Sequence, residues 1–231
     1  ANEPEVVFLA DVLNKCGAKI KGQGTDLLVI QGVRSLQPID CQICPDRIET
    51  GTYMIASAIT GGDVNIVNCL PKQVETLTLK LRQAGVTIKE TESSLRVISD
   101  GSLTGVNIKT QPHPGFATDL QAQFMALMTL ARGQSIIIET IFENRFMHVA
   151  ELNRMGADIT VQGNTAFVNG IKRLSGAPLM ATDLRASASL VLAALAAEGE
   201  SVISRVYHID RGYFGMEKKL YRLGAKIRRK K

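Results

Sequence analysis

Tryptophan is absent from the 231 residues, phenylalanine and tyrosine bring all aromatics to 5%, and there are 7 prolines and 4 cysteines. So few cysteines exclude a disulfide-stapled miniature, and in the cytosol Cys16, Cys41, Cys44 and Cys69 would stay reduced. Long apolar runs are missing too. The longest uncharged one, Ala186 to Ala197, falls well short of the roughly twenty residues that a bilayer span needs, so no membrane helix is predicted. A charged-then-apolar secretory leader is lacking, which makes the cytoplasm the expected compartment. Charge of one sign is scarce as well. Lys and Arg number 27 against 22 Asp and Glu, a net +5, yet Lys226, Arg228, Arg229, Lys230 and Lys231 crowd the final six positions. Without them the body is neutral, which argues against the basic stripe of a nucleic-acid binder and leaves only the tail for such a role. The remaining composition, 45% hydrophobic and 21% charged, is that of a globular protein with a full core, and excludes disorder or collagen.

An internal repeat organises the chain. LADVLNKCGAKI, TLKLRQAGVTI, ELNRMGADI and KKLYRLGAKI place glycines at Gly17, Gly85, Gly156 and Gly224, 68, 71 and 68 residues apart. Before each glycine the apolar residues fall at helical intervals, as in Leu9, Val12, Leu13, Cys16 and in Val74, Leu77, Leu81, Ala84. Each segment reads as an amphipathic helix capped by glycine, and the first three lead into two short strands around a polar turn. A second element lies between these: DRIETGTYMIASAITGG, DLQAQFMALMTLARGQ and DLRASASLVLAALAAEGE. Each opens on an aspartate (Asp46, Asp119, Asp183) and is apolar nearly all round, as expected of a helix buried on most sides. One unit therefore reads βαβαββ. Three such units predict an α/β domain of pseudo-threefold symmetry, with the buried helices meeting at the centre.

Both ends of the array look cut. Residues 1–43 carry only the second half of a unit, and the last amphipathic helix is followed by a single expected strand, Ala225 to Arg229, with no hairpin partner. An unpaired edge is a liability that folded proteins cover. The chain is therefore expected to be the C-terminal part of a longer protein, with 1–43 the end of a neighbouring domain and 44–231 a three-unit domain lacking its completing N-terminal segment.

On the residues alone, all three aspartates read equally well as helix N-caps, whose carboxylates accept from first-turn N–H groups. His113, His148 and His208 are too scattered for a metal site and read as local hydrogen-bonding residues. Cys41-Gln42-Ile43-Cys44 has no second cysteine pair and sits in a strand-to-hinge segment, so neither a redox nor a zinc role is expected.

Five longer motifs are more specific: PDRIETGT (45–52), HPGFATDLQAQ (113–123), ETIFENRFMHVAELNRMGAD (139–158), LSGAPLMATDLRASASLVLA (174–193) and RVYHIDRGY (205–213). Through them the chain resembles the enolpyruvyl transferase family, in particular its branch that uses UDP-N-acetylglucosamine, over about the C-terminal half of that family's length. The resemblance implies an inside-out α/β barrel, two domains with the substrate cleft between them, and one chain crossing near Ile43 to Pro45. It implies transfer of the enolpyruvyl group of phosphoenolpyruvate to the sugar 3-hydroxyl with loss of phosphate, the first committed step of peptidoglycan synthesis and so of cell-wall growth and division. No cofactor and no metal are implied, and the partner is the N-terminal half of the same protein.

Position by position, Asp119 matches the carboxylate that bonds the sugar 3-hydroxyl and takes its proton. Asp183 matches a position near the reacting carbon, in addition to its cap role. Arg185 and Arg211 match the arginines that bind phosphoenolpyruvate and its departing phosphate, a task suited to a forked guanidinium. Thr118 and Ile141 match contacts to the uridine nucleotide, Ile141 through its backbone. Phe142 and Arg145 are expected to shape the cleft. The family's reactive loop residue, Cys or Asp, and a lysine and asparagine near its N-terminus have no counterpart here. Two positions depart from the pattern: Ala117 stands where proline is usual, and Phe214 where glutamate is usual. Another acceptor, such as shikimate 3-phosphate, and a noncatalytic isolated domain are the alternatives.

Overall fold

The computed structural model describes residues 2–230; Ala1 and Lys231, the last member of the basic tail, lie outside it. Its centre is built from three helices, α2 (Arg47–Ile59), α4 (Gln121–Met128) and α6 (Leu184–Ala196), which pack on one another. Their sequences are apolar on every side, and the structure uses every side. All eight residues of α4 are buried, as are eleven of α2. A helix without a polar face has nowhere stable to sit except between other elements.

The sheets lie outside these helices. The second unit is complete: β6 (Ile108–Lys109), α4, β7 (Gln134–Ile138), α5 (His148–Arg154), β8 (Asp158–Gln162) and β9 (Thr165–Asn169). Its sheet runs β6-β7-β9-β8, with β6 parallel to β7 and the other pairs antiparallel. This is the βαβαββ order expected from the repeat. The first unit has α2, β3 (Asp63–Val67), α3 (Glu75–Gln83) and the hairpin β4 (Thr87–Glu90) and β5 (Ser94–Ile98), in the sheet order β3-β5-β4. The third has β10 (Pro178–Met180), α6, β11 (Val202–Ser204) and α7 (Met216–Arg222), with β10 and β11 parallel. Preceding all three, α1 (Pro4–Lys15) and the antiparallel pair β1 (Lys19–Lys21) and β2 (Val29–Gln31) repeat the second half of a unit.

Each amphipathic helix ends as its sequence predicts. Gly17, Gly85, Gly156 and Gly224 have φ between 92° and 101°, a left-handed conformation that costs glycine little. The same two bonds recur each time. At the second copy, Gly85 N–H donates to the Arg82 carbonyl and Val86 N–H to the Leu81 carbonyl, the paired pattern of a Schellman cap. Val74, Leu77, Leu81 and Ala84 are all buried against the core. In α1 the expected apolar stripe is covered only in part: Ala10 alone is buried and Leu9 is 56% exposed, because that helix has little beyond one small hairpin to pack on.

The strand expected over 225–229 does not form. A strand needs a partner for its N–H and C=O groups, and no neighbouring strand is offered there among the described residues. The segment is held by side chains: Ala225 and Ile227 pack on the core, and Arg229 makes a two-point ion pair with Asp210 at 2.6 and 3.0 Å. Part of the basic tail is thus neutralised internally.

Candidate active site

The three equivalent aspartates do not do the same thing. Asp46 and Asp183 are N-caps: Asp46 accepts from the N–H groups of Ile48 and Glu49, and Asp183 from those of Arg185 and Ala186. Asp119 is not. A 3-10 turn, Thr118–Leu120, precedes α4, so Asp119 lies inside the helical path rather than ahead of it, and its carboxylate caps nothing. The N-cap reading therefore holds at two positions and fails at the third.

The freed carboxylate is held by two arginines. Arg145 Nη2 donates to Asp119 Oδ1 at 2.6 Å and Arg185 Nη2 to Oδ2 at 3.2 Å. Arg185 arrives from the first turn of α6, and its guanidinium also lies 5.9 Å from the ring centroid of Tyr213. Arg145 comes from the loop before α5 and stacks over Phe142, 4.7 Å from the ring centroid. Burial works to raise the Asp119 pKa, but the charges of Arg185 and Arg145 outweigh it and hold the carboxyl below its ordinary value. Burial acts to lower the Arg185 pKa, and Asp119 and Tyr213 reverse this to a net rise.

Beneath Asp119 a polar group is sealed into the core. The Thr52 hydroxyl and the Tyr213 hydroxyl are 2.8 Å apart, and Gln123 Nε2 donates to both and to the Asp119 carbonyl. This group ties α2, α4 and the segment after β11 together directly behind the acid, while burial raises the Tyr213 pKa.

Thr118 and Ile141 are brought to the same place by a residue that the motifs did not single out. Glu139, 3% exposed at the end of β7, accepts from Thr118 Oγ1 at 2.9 Å and from the Ile141 N–H at 2.8 Å. It opens the motif ETIFENRFMHVAELNRMGAD and directly follows the apolar strand QSIII, but neither sign gave it a role. Arg145 also reaches further than cleft-shaping: Nη1 donates to Thr118 Oγ1 at 3.2 Å. Arg211 stands apart. It ends the 3-10 helix Val206–Arg211, is exposed, and has no ion-pair partner among the described residues. Its neighbour Gly212 packs on Leu184 at the start of α6, where a Cβ would come within 2.7 Å of that side chain. Phe214 is 91% exposed.

Two of the histidines expected to hydrogen-bond locally have ring nitrogens without a protein partner. His148 is buried with no protein partner at Nε2, and both ring nitrogens of His208 lack one. His148 packs near Phe146 instead, and burial drives its pKa down to about 4. Among the described residues no group of His, Cys, Asp and Glu could hold a metal ion, and all four cysteines are free thiols. A cavity of about 190 Å³ lies behind the 113–117 loop, bordered by Arg47, Thr76, His113 and Leu120, and contains none of the acid–arginine cluster.

Buried helices ringed by sheets form an architecture already known from solved structures. The fold is that of the enolpyruvyl transferases. The enolpyruvyl transferase NikO from Streptomyces tendae superposes with a TM-score of 0.87 at 29% identity, over 98% of this chain and 54% of that one. EPSP synthase from Acinetobacter baumannii shares the fold with a TM-score of 0.74 at 20% identity, over 95% of this chain and 54% of its own. The chain belongs to the EPSP synthase (3-phosphoshikimate 1-carboxyvinyltransferase) family, whose pattern matches residues 1–220.

Within that family it is similar to proteins named UDP-N-acetylglucosamine 1-carboxyvinyltransferase. That of Geobacter metallireducens is 58% identical over 231 residues, and that of Magnetococcus marinus 60% identical over 230. Both alignments take in 99% or more of this chain but 55% of the relative. The chain spans about half the length of the curated relatives it matches.

Proposed function

We propose that this chain supplies one wall of the active site of an enzyme that moves the enolpyruvyl group of phosphoenolpyruvate onto the 3-hydroxyl of UDP-N-acetylglucosamine, releasing phosphate. The observation that carries this reading is the exception at Asp119: alone of three equivalent aspartates, it gives up its cap and faces Arg145 and Arg185. The identity to carboxyvinyltransferases of that acceptor, 58% and 60%, favours it over shikimate 3-phosphate.

In this reading the 3-hydroxyl gives its proton to Asp119 as its oxygen bonds to C2 of phosphoenolpyruvate. The methylene carbon takes a proton from a donor outside this chain, which gives a tetrahedral adduct. Loss of a proton from the new methyl group and departure of phosphate restore the double bond. Arg185 and Arg211 hold the phosphate and offset its charge as the C–O bond breaks. A phosphate drawn to Arg185 competes with Asp119 for that guanidinium, so substrate binding loosens one of the two contacts that depress the acid's basicity. Asp183 fixes the start of α6, and with it the backbone from which Arg185 projects. Thr118 and the Ile141 backbone receive the sugar nucleotide.

The division of the chain belongs to the same proposal, with 1–43 part of a neighbouring domain and 44–231 a domain completed by the N-terminal half of the same protein. Among the described residues the first sheet has no strand where β6 stands in the second, and the third has no hairpin where β8 and β9 stand. The reaction places the protein in cell-wall biogenesis and in the cytoplasm. No helix among the described residues is long and apolar enough to cross a membrane.

The test is phosphate release in the full-length protein. Asp119→Ala is expected to lower turnover with UDP-N-acetylglucosamine about a hundredfold or more while the fold persists, and the 231-residue chain alone is expected to release none. Undiminished turnover in the variant, or a preference for shikimate 3-phosphate, overturns the proposal.

A further inference from the structure

Four donors converge on the buried carboxylate of Glu139. Oε1 accepts from Thr110 Oγ1 at 2.8 Å, from the Ile141 N–H at 2.8 Å and from the Phe142 N–H at 3.1 Å, while Oε2 accepts from Thr118 Oγ1 at 2.9 Å. All four partners are donors, so both oxygens of Glu139 serve as acceptors here. Three separate stretches of chain meet on this one side chain: the end of β6, the turn before α4 and the loop after β7. Thr110 binds the loop a second time, since its hydroxyl accepts from the Thr140 N–H at 2.8 Å.

The direction of these bonds matters more than their number. The Thr118 hydroxyl has one proton, and it is spent on Glu139. One of its lone pairs accepts from Arg145, so what remains for a ligand is an acceptor. The Ile141 N–H is likewise spent, so its backbone offers the carbonyl and nothing else. An amide at 139 keeps one acceptor oxygen and so frees one of the two positions to donate, while a side chain without an acceptor frees both.

We propose that Glu139 is a positioning residue that sets the hydrogen-bond polarity of the acceptor subsite: by consuming the Thr118 and Ile141 protons it turns both toward the ligand as acceptors, and so selects a sugar nucleotide that presents N–H or O–H groups there. The inference rests on the functional reading above for the identity of that ligand. Glu139 itself touches no substrate. Arg145 is held by Asp119 and Phe142 as well as by Thr118, so the acid keeps its place when Glu139 is changed.

The test is Glu139→Gln in the full-length protein, a change that keeps the shape and puts an NH2 where one acceptor oxygen stood. KM for UDP-N-acetylglucosamine is expected to rise at least tenfold, with kcat and the KM for phosphoenolpyruvate each changing less than about threefold. Thr118→Val combined with Glu139→Gln is expected to be little worse than the more damaged single variant, since the two act through one bond. An unchanged KM for the sugar nucleotide, or an equal rise for both substrates, overturns the proposal. Amide hydrogen exchange on the full-length protein separates this from the functional reading: in Glu139→Met, which has no carboxylate oxygen, the 141 and 142 amides should exchange at least tenfold faster. If the wild-type protein does not use UDP-N-acetylglucosamine, the functional reading falls and exchange still decides the role of Glu139; unaltered exchange at both amides refutes it.

Discussion

Arg145 and Asp119 are 26 positions apart in the chain and form the shorter of the two ion pairs on the acid, Nη2 to Oδ1 at 2.6 Å. Arg145 also bonds Thr118 and stacks on Phe142, so it is fixed from three sides. It holds the acid in the orientation in which its second oxygen meets Arg185. The charge of Asp183 and the buried, neutral ring of His148 also lie near this loop.

The pH profile should report this pair. Burial raises the Asp119 pKa, and Arg185 and Arg145 lower it further than burial raises it. A base with a depressed pKa works above that pKa and loses activity as pH falls through it. Arg145→Met removes one of the two cations, so the acidic limb of kcat/KM in the full-length protein is expected to move to higher pH. A limb that stays in place would mean that Asp119 is not the titrating base.

The two capping aspartates separate stability from chemistry. Asp46→Ala leaves the Ile48 and Glu49 N–H groups without their partner, and should cost about 1 kcal/mol, or about 3 °C in Tm, with turnover intact. Asp183→Asn keeps a good cap and removes the charge. Its Tm is expected to stay near wild type while phosphate release falls, and thermal melts beside a phosphate assay check both parts.

Ala117 departs from the family's proline, and its backbone is already suited to one. Its φ is −64° and its N–H makes no backbone bond, while its carbonyl accepts from Leu120. Proline fixes φ near that value and narrows the unfolded ensemble. Ala117→Pro is therefore expected to stabilise the chain by about 0.5 kcal/mol, measured by chemical denaturation, without moving Asp119.

The fold was readable because its determinants are local. A glycine directly after a helical stripe meets the same left-handed need in all four copies, and a helix with no polar side announces its burial. What escaped was set by distance and by partner choice. Nothing around Ala225 to Arg229 shows that its strand lacks a neighbour, and nothing in TDLQ shows that a 3-10 turn will carry Asp119 past the cap position that Asp46 and Asp183 occupy. Glu139 and Arg145 act on residues 21 to 29 positions away in sequence, and such contacts leave no local trace.

Arg211 should behave as a residue kept for a ligand. It is exposed at the end of a 3-10 turn and pairs with no acid among the described residues, so its loss leaves no buried group unsatisfied. Arg211→Ala is expected to change stability by less than about 0.5 kcal/mol. Arg185→Ala should cost more, because it strips a contact from half-buried Asp119. Both should raise KM for phosphoenolpyruvate. A large stability loss at Arg211 would instead mark it as structural.

His148 gives the fold a dependence on acid that is separate from the site's chemistry. Burial holds its pKa at about 4, down from 6.5; Asp183 pulls it up a little and Arg145 pushes it down. In the unfolded chain the same ring takes a proton near its ordinary value. The unfolded state thus binds more protons between these two values, and stability falls as pH drops from about 6.5 toward 4. The gap corresponds to roughly 3 kcal/mol. Carboxylates lose stability over part of the same range, so the comparison must be made against His148→Leu, which cannot titrate and leaves no ring nitrogen unpartnered in the core. Urea denaturation at pH 7 and at pH 4.5 is expected to show a loss about 2 kcal/mol smaller in the variant than in the wild-type chain. Equal losses would show that His148 is protonated in the folded protein, paired with Asp183 across the start of α6.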